Sequence, residues 1–203
     1  MADASPAPAD APADAPAQPG RSPASRAAAF LVHRWPTLAG LLTTALLVLD
    51  DQDGRGHAPI VFLAALIYLA TAVLDRPGVV WILFGASVAG VGALRLIGAD
   101  LWTALVAAGV SVTVLSLVSD LPRRPRPAAL QIPLMLVFGT AAFAGAFLAP
   151  ALGAYAVAAA LIGHAVQDVI IWRANKVVLR SLAEFCAVLD LTLGVAIIVL
   201  QVT

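Results

Sequence analysis

Charged side chains are scarce in this 203-residue chain: they make up 12% of residues, against 61% hydrophobic residues and a mean hydropathy of +0.94. A soluble domain carries charge at about 25% of its positions, because a wetted surface must cover its core. The composition therefore excludes an ordinary soluble globular domain. Twelve Lys and Arg residues balance twelve Asp and Glu residues. Without a concentrated basic face, nucleic-acid binding is not expected.

Cysteine is almost absent, because Cys186 stands alone. A single cysteine excludes an intrachain disulfide. The chain also lacks a phosphate-cradling glycine loop, a serine-nucleophile motif and a zinc-protease helix. The sequence therefore identifies no catalytic residue, and it gives no reason to expect a resident cofactor or an established metal ligand set.

Long apolar runs take the place of the missing charge. A helix needs about 20 residues to cross roughly 30 Å of hydrocarbon, and most of the runs are long enough to do so. The first run is short, but it can be extended backward through residues 27–32 if Arg34 reaches the headgroups. The seven apolar segments are residues 36–49, 58–74, 78–98, 101–119, 128–149, 151–172 and 182–202.

Basic residues are sorted between alternate gaps of this seven-segment pattern. Ten of the twelve Lys and Arg residues fall on one side: Arg21, Arg26, Arg34, Arg76, Arg123, Arg124, Arg126, Arg173, Lys176 and Arg180. Short loops rich in Lys and Arg stay in the cytoplasm. The sequence therefore predicts an all-α, polytopic integral membrane protein with seven antiparallel transmembrane helices, its N-terminus inside and its C-terminus outside. The Ala-rich, Arg-over-Lys composition favours a bacterial plasma membrane.

Six of these basic residues are predicted to contact anionic lipid headgroups, each attraction being worth about 1 kcal/mol near the surface. They are Arg123, Arg124, Arg126, Arg173, Lys176 and Arg180. The lipid bilayer is thus the first expected partner, and a membrane-protein partner or a second copy of the chain is another. Residues 1–26, rich in Ala, Pro and Asp, are predicted to be a disordered leader. A solvated leader is favoured over a partner-binding arm.

Small residues at four-residue spacing predict close helix contacts, because they let backbones approach each other in lipid. One row contains Gly85, Ala89 and Ala93, and a shorter row contains Ala142 and Ala146. These rows are interpreted as packing surfaces.

Ionisable residues inside the last two segments are the main chemical signal. This polar intramembrane cluster contains His164, Asp168, Glu184, Cys186 and Asp190. His164 and Asp168 are four residues apart and share a helix face. In an antiparallel hairpin, His164 and Asp190 both lie roughly 12 Å from the inner interface. The sequence therefore predicts that His164 lies opposite Asp190.

Three interpretations of the cluster remain open: a hydrogen-bonded pair that fixes helix register, a proton or cation site, and a metal site. They correspond to three kinds of protein. A structural or accessory membrane component is the first hypothesis. A small transporter or proton/cation-translocating protein is the second, and an intramembrane metal-dependent enzyme is the third. An enzyme is the less expected outcome, because no third catalytic group is evident. A stoichiometric partner, cation flux or bound metal would distinguish the three.

Overall fold

The computed structural model describes residues 29–50 and 53–203, and within those ranges it is helical with no strand. The predicted disordered leader, residues 1–26, lies outside the described residues. The chain divides into two units, Met1–Arg34 and Trp35–Thr203. In the first unit, residues 29–33 are helical. All further structure belongs to the second unit.

The second unit contains seven helices of 16 to 25 residues. They are α1 (Trp35–Asp50), α2 (Ala58–Leu74), α3 (Val80–Leu96), α4 (Leu101–Val118), α5 (Gln131–Phe147), α6 (Pro150–Ala174) and α7 (Arg180–Val202). Their ends lie within three residues of the predicted segments, the largest difference being at residue 128, which precedes the start of α5 at Gln131. The all-helical prediction is confirmed.

Five helices are long and apolar enough to cross a membrane. Including the turns that precede two of them, they are Arg55–Leu74, Pro77–Leu96, Leu101–Val118, Pro150–Ala174 and Arg180–Val202. The other two, α1 and α5, are apolar but shorter, with 16 and 17 residues. At about 1.5 Å per residue each spans roughly 25 Å, slightly less than a typical hydrocarbon core.

Helix α2 lies at the centre of the bundle, where it contacts α3, α4, α5 and α6. Helices α6 and α7 form the most extensive helix pair, and α7 also packs along α1. Helix α3 is peripheral and mostly exposed. This arrangement places α6 between α2 and α7, with which it packs on either side.

Glycine lets α5 and α6 cross with their backbones in contact. A Cβ atom at Gly153 would lie 2.3 Å from the carbonyl oxygen of Gly145, closer than any side chain can fit. In the predicted small-residue row of α5, Ala142 is fully buried. The row on α3 behaves differently: a Cβ atom at Gly85 would meet nothing within 4 Å, and Ala89 and Ala93 are exposed. Within the described chain, the predicted helix contact at this row is absent.

Two loops are fixed by acidic residues. Asp100 caps the N-terminus of α4 by accepting hydrogen bonds from the hydroxyl and the backbone N–H of Thr103, and these bonds lower the pKa of Asp100. Arg124 donates to Asp120 at 2.7 Å and to the carbonyl oxygen of Ala72 at 2.9 Å. Its hydrogen bond and positive charge lower the pKa of Asp120. Arg124 thus ties the loop before α5 to the last turn of α2.

Candidate functional site

Helices α6 and α7 bring one imidazole and two carboxylates together in the bundle core. Nδ1 of His164 lies 2.9 Å from Oδ2 of Asp190 and 3.3 Å from Oδ2 of Asp168. The side chains of His164 and Asp168 are fully buried, and that of Asp190 is 1% exposed. The helical spacing of four residues puts His164 and Asp168 on one face of α6. The predicted approach of His164 to Asp190 is present in this geometry.

Tyr68 of α2 is a fourth member that sequence reasoning missed. Its hydroxyl group donates a hydrogen bond to Oδ1 of Asp168, and its ring meets the His164 imidazole edge-to-face at 5.2 Å between centroids. The ring of Phe138 in α5 packs against the same imidazole, also at 5.2 Å. The imidazole is therefore held between two aromatic rings. A tyrosine in the middle of an otherwise apolar segment was the available signal, because a buried hydroxyl needs a partner.

Several polar atoms of the cluster have no hydrogen-bond partner among the described residues. They are Nε2 of His164, Oδ2 of Asp168 and Oδ1 of Asp190. Leaving a buried polar atom unpaired costs about 1–3 kcal/mol, and more when the group is charged. When both carboxyl groups are ionised, their charge exceeds by one the single positive charge that His164 can carry. The cluster therefore has both spare acceptor atoms and room for one additional positive charge.

A cavity of about 450 Å³ reaches this cluster between α1, α2, α3 and α7. Its lining runs from His57 and Arg95, near one end of the helices, past Tyr68 and Asp190 to Leu182, near the start of α7. The walls between are mostly apolar. Tyr68 lies ten residues into α2, which corresponds to a depth of roughly 15 Å. The cavity thus passes Asp190 along the bundle, whereas His164 and Asp168 do not line it.

The remaining two residues of the predicted cluster lie apart from its centre. Cys186, one turn before Asp190, is buried and lines the cavity without belonging to the group of close ligand atoms. Glu184 lies on the side of α7 that faces α1, where it accepts a hydrogen bond from Thr37 at 2.5 Å. The prediction grouped Glu184 with the others, but it contributes to the contact between α1 and α7.

A second polar pair lies beside Asp168. Nε2 of Gln167 donates to Oε1 of Gln131 at 2.9 Å, which joins α6 to the first residue of α5. Both side chains are buried, and Oε1 of Gln167 has no partner within the described ranges. Buried amides next to a carboxylate extend the polar region from the cluster toward the other end of the bundle.

The six basic residues predicted to contact lipid fall into two groups. Five of them are exposed: Arg123, Arg126, Arg173, Lys176 and Arg180. Arg180 also donates to the carbonyl oxygen of Trp172 at 3.2 Å and lies over the Trp172 ring. Arg124 is half-buried and is engaged with Asp120, Asp75 and the end of α2. The exposed five are available to anionic headgroups, which remains a prediction.

Comparison with known proteins adds no relative. No family model, curated protein or solved structure matches this chain. Function is therefore inferred from the side chains themselves. His164, Asp168 and Asp190 each offer one ligand atom, and these atoms lie within 4.8 Å of one another. An imidazole and two carboxylates at that spacing can hold a proton or a cation.

Proposed function

We propose that this chain is a multi-pass membrane protein that translocates a cation, with His164, Asp168 and Asp190 as the binding site. One observation carries the proposal. Three ionisable side chains, each at most 1% exposed, meet in the bundle core while keeping unpaired acceptor atoms, and one of them, Asp190, lines a cavity. Ionisable groups inside membrane segments are costly and mark ion pathways by default.

The unpaired atoms favour cation binding over a purely structural pair. A pair that only fixes helix register lowers its energy by satisfying its polar atoms with one another. Here Asp190 uses Oδ2 toward His164 and leaves Oδ1 without a partner in the described chain. A bound cation would be coordinated by the spare carboxylate oxygens, and it would neutralise the excess negative charge. The unpaired oxygens and the excess charge therefore favour a site that binds and releases a cation over one that only stabilises the fold.

The cavity supplies the route on one side. It reaches Asp190 from the end of the bundle where His57 and Arg95 lie. Translocation also requires a second state, in which the cluster opens toward the opposite end. The buried amides of Gln131 and Gln167 lie in that direction, next to Asp168. They offer polar contacts for the second half of the path.

The membrane arrangement is part of the same proposal: seven crossings in a bacterial plasma membrane, with the N-terminus inside and the C-terminus outside. Its support is the sorting of basic residues between alternate loops together with the short connections between successive helices. Helices α1 and α5 would then cross near the lower limit of about 17 residues, with flanking side chains reaching the headgroups. In this orientation the His57 and Arg95 end of the cavity faces outward.

Flux measurements in proteoliposomes test the proposal. The wild-type chain should dissipate an imposed proton or metal-ion gradient, and Asp190→Asn should reduce that flux by about tenfold or more, as expected when the binding carboxylate is lost. Asp75→Asn is the matched control, because the Asp75 side chain is 76% exposed and lies outside the cluster. Equal flux through wild type, Asp190→Asn and protein-free vesicles would rule translocation out.

A second candidate, a structural or accessory component of a membrane complex, is favoured by the open face of α3. Gly85, Ala89 and Ala93 form a small-residue row that no helix of the described chain covers. Such rows allow close helix contact in lipid. Purification in mild detergent with a stoichiometric partner, lost after Gly85→Leu, would support this role. Monomeric behaviour of both forms would contradict it.

A further inference from the structure

We infer that the cation is a first-row divalent transition metal of the zinc class. Its ligands are Nδ1 of His164, Oδ2 of Asp168 and the carboxylate of Asp190. This inference rests on the proposed function and names the substrate class of the same site. The observation behind it is a set of three close ligand atoms whose carboxylates have oxygens unpaired within the described chain.

The distances fit one ion of this size. Zinc binds nitrogen at about 2.0 Å and carboxylate oxygen at about 2.0–2.2 Å, so ligands in a tetrahedral site lie roughly 3.3 Å apart. Nδ1 of His164 is 3.3 Å from Oδ2 of Asp168 and 2.9 Å from Oδ2 of Asp190. The three ligand atoms all lie within 4.8 Å of one another, so adjustment of the two carboxylate side chains would admit the ion. Because Asp190 keeps Oδ1 unpaired, its carboxylate can also rotate to meet the metal with either oxygen.

The charges also balance. A neutral imidazole, two carboxylates and one divalent cation sum to zero in a region enclosed by apolar side chains. A monovalent cation with the same three groups leaves one negative charge, and burying an uncompensated charge costs several kcal/mol. Among metal ions bound to these ionised groups, the buried position therefore favours a divalent ion over a monovalent one.

The ligand types narrow the metal further. Imidazole suits zinc and other late first-row metals, whereas sites for magnesium and calcium use oxygen ligands alone. Cys186 does not belong to the close group, so thiolate chemistry is not implied. Three protein ligands leave a fourth position for a water or an exchanging group, as in open zinc sites. The cavity that Asp190 lines gives the ion a route to the site.

Outer contacts hold the ligands in place. The Tyr68 hydroxyl occupies Oδ1 of Asp168, which leaves Oδ2 facing His164. Such second-layer hydrogen bonds orient metal ligands and are worth about 10–100-fold in affinity. The rings of Tyr68 and Phe138 pack against the two sides of the imidazole and restrict its orientation. Tyr68 is therefore a positioning residue for the site.

Direct binding to the full chain tests the inference. The protein, purified in mild detergent without a polyhistidine tag and stripped of metal, is titrated with Zn²⁺ and with Co²⁺, whose visible absorption reports tetrahedral coordination. One ion should bind per chain, with Mg²⁺ and Ca²⁺ weaker by about 100-fold or more. Asp190→Asn and His164→Gln should weaken Zn²⁺ binding by about 100-fold, and Tyr68→Phe by about 10–100-fold.

Two control variants separate the site from adventitious binding. Cys186→Ser removes a buried thiol that is not a ligand, and His33→Gln removes an exposed imidazole that belongs to the first unit. Both should bind Zn²⁺ with wild-type affinity. Folded wild-type protein that binds neither Zn²⁺ nor Co²⁺ would overturn the inference, as would equal binding by Tyr68→Phe and wild type. These readouts stand even if the ligand variants fail to fold.

The metal site and cation translocation can be refuted separately. Zn²⁺ binding without transport in proteoliposomes would retain the metal site and refute cation translocation. Flux of protons or monovalent cations through a chain that binds no Zn²⁺ would retain translocation and refute the metal. The two experiments together therefore assign any failure to one of the two proposals.

Discussion

The hydroxyl group of Tyr68 donates a hydrogen bond to Oδ1 of Asp168, which lies 100 residues away in the sequence. This bond joins the central helix α2 to α6, and it adds a third helix to a cluster that otherwise belongs to α6 and α7. Both residues are fully buried. Asp168 is therefore positioned by two partners, Tyr68 on one oxygen and His164 near the other.

Removing the Tyr68 hydroxyl should lower the stability of the bundle. Tyr68→Phe leaves Oδ1 of Asp168 buried without a donor, and an unsatisfied buried acceptor costs about 1–3 kcal/mol. Thermal or denaturant unfolding in detergent measures the loss. The chain offers one matched control, because its other tyrosine, Tyr155, lies on α6 with 40% exposure. Tyr155→Phe should leave the unfolding midpoint unchanged, and equal effects of the two substitutions would contradict this account.

Much of the fold can be predicted from the sequence, because helices that suit a lipid environment are visible as long apolar runs. Continuous apolar runs bounded by Asp, Arg and Pro residues gave all seven helices, including their ends to within three residues. The approach of His164 to Asp190 can also be predicted. A short connection makes α6 and α7 antiparallel, so residues that lie equally far from that connection face each other. Whether this pair is functional remains a prediction.

Residue spacing along α6 and α7 could not identify which residues of other helices contact the cluster. Periodicity within one helix fixes which residues share a face, but it does not say which helix covers that face. Tyr68 was missed because α2 contacts α6 without being its neighbour in sequence. For the same reason, the small-residue row at Gly85 was predicted as a contact although α3 turns it outward. Glu184 was grouped with Asp190, but it faces α1 instead.

An added methyl group should change the stability of the bundle differently at two helical glycines, Gly153 and Gly85. Gly153→Ala would place Cβ 2.3 Å from the carbonyl oxygen of Gly145 and 2.7 Å from Cδ of Arg55, so α5 and α6 must separate. Overpacking of this kind costs about 1–3 kcal/mol. Gly85→Ala meets open space and should be neutral or slightly stabilising, because alanine is the better helix former. Unfolding midpoints that shift equally would contradict the close approach of α5 and α6.

The cap at Asp100 predicts a pH-dependent contribution to stability. Hydrogen bonds from Thr103 lower the pKa of Asp100 in the folded state. A group with a lowered folded-state pKa stabilises the fold above its unfolded pKa, about 3.9 for aspartate, and the benefit is lost as pH falls through the folded-state value. Asp100→Asn keeps a capping oxygen without the charge.

The comparison of wild type with Asp100→Asn isolates that charge. The wild-type unfolding midpoint should be higher at neutral pH, and the difference should shrink as the pH falls below about 4. Asp100→Ala should be less stable than either form, because it removes the cap altogether. A difference between wild type and Asp100→Asn that stays constant down to acidic pH would show that the charge does not contribute.

The number of crossings can be tested with two engineered cysteines. Cys186 is buried and alone, so Cys186→Ser gives a background without reactive thiols. On that background, Ala99→Cys reports the connection between α3 and α4, and Lys176→Cys reports the connection between α6 and α7. Both positions are exposed. With seven crossings and the N-terminus inside, a membrane-impermeant maleimide added to intact cells should label position 99 and not position 176.

The same pair of variants tests whether the short helix α5 crosses the membrane. Three helices, α4, α5 and α6, separate the two positions, so an odd number of crossings puts them on opposite sides. If α5, with only 17 residues, failed to cross, positions 99 and 176 would be labelled from the same side. Labelling of position 176 alone would show the reverse orientation, and the His57 and Arg95 end of the cavity would then face the cytoplasm. Permeabilised cells, in which both positions should react, provide the control for accessibility.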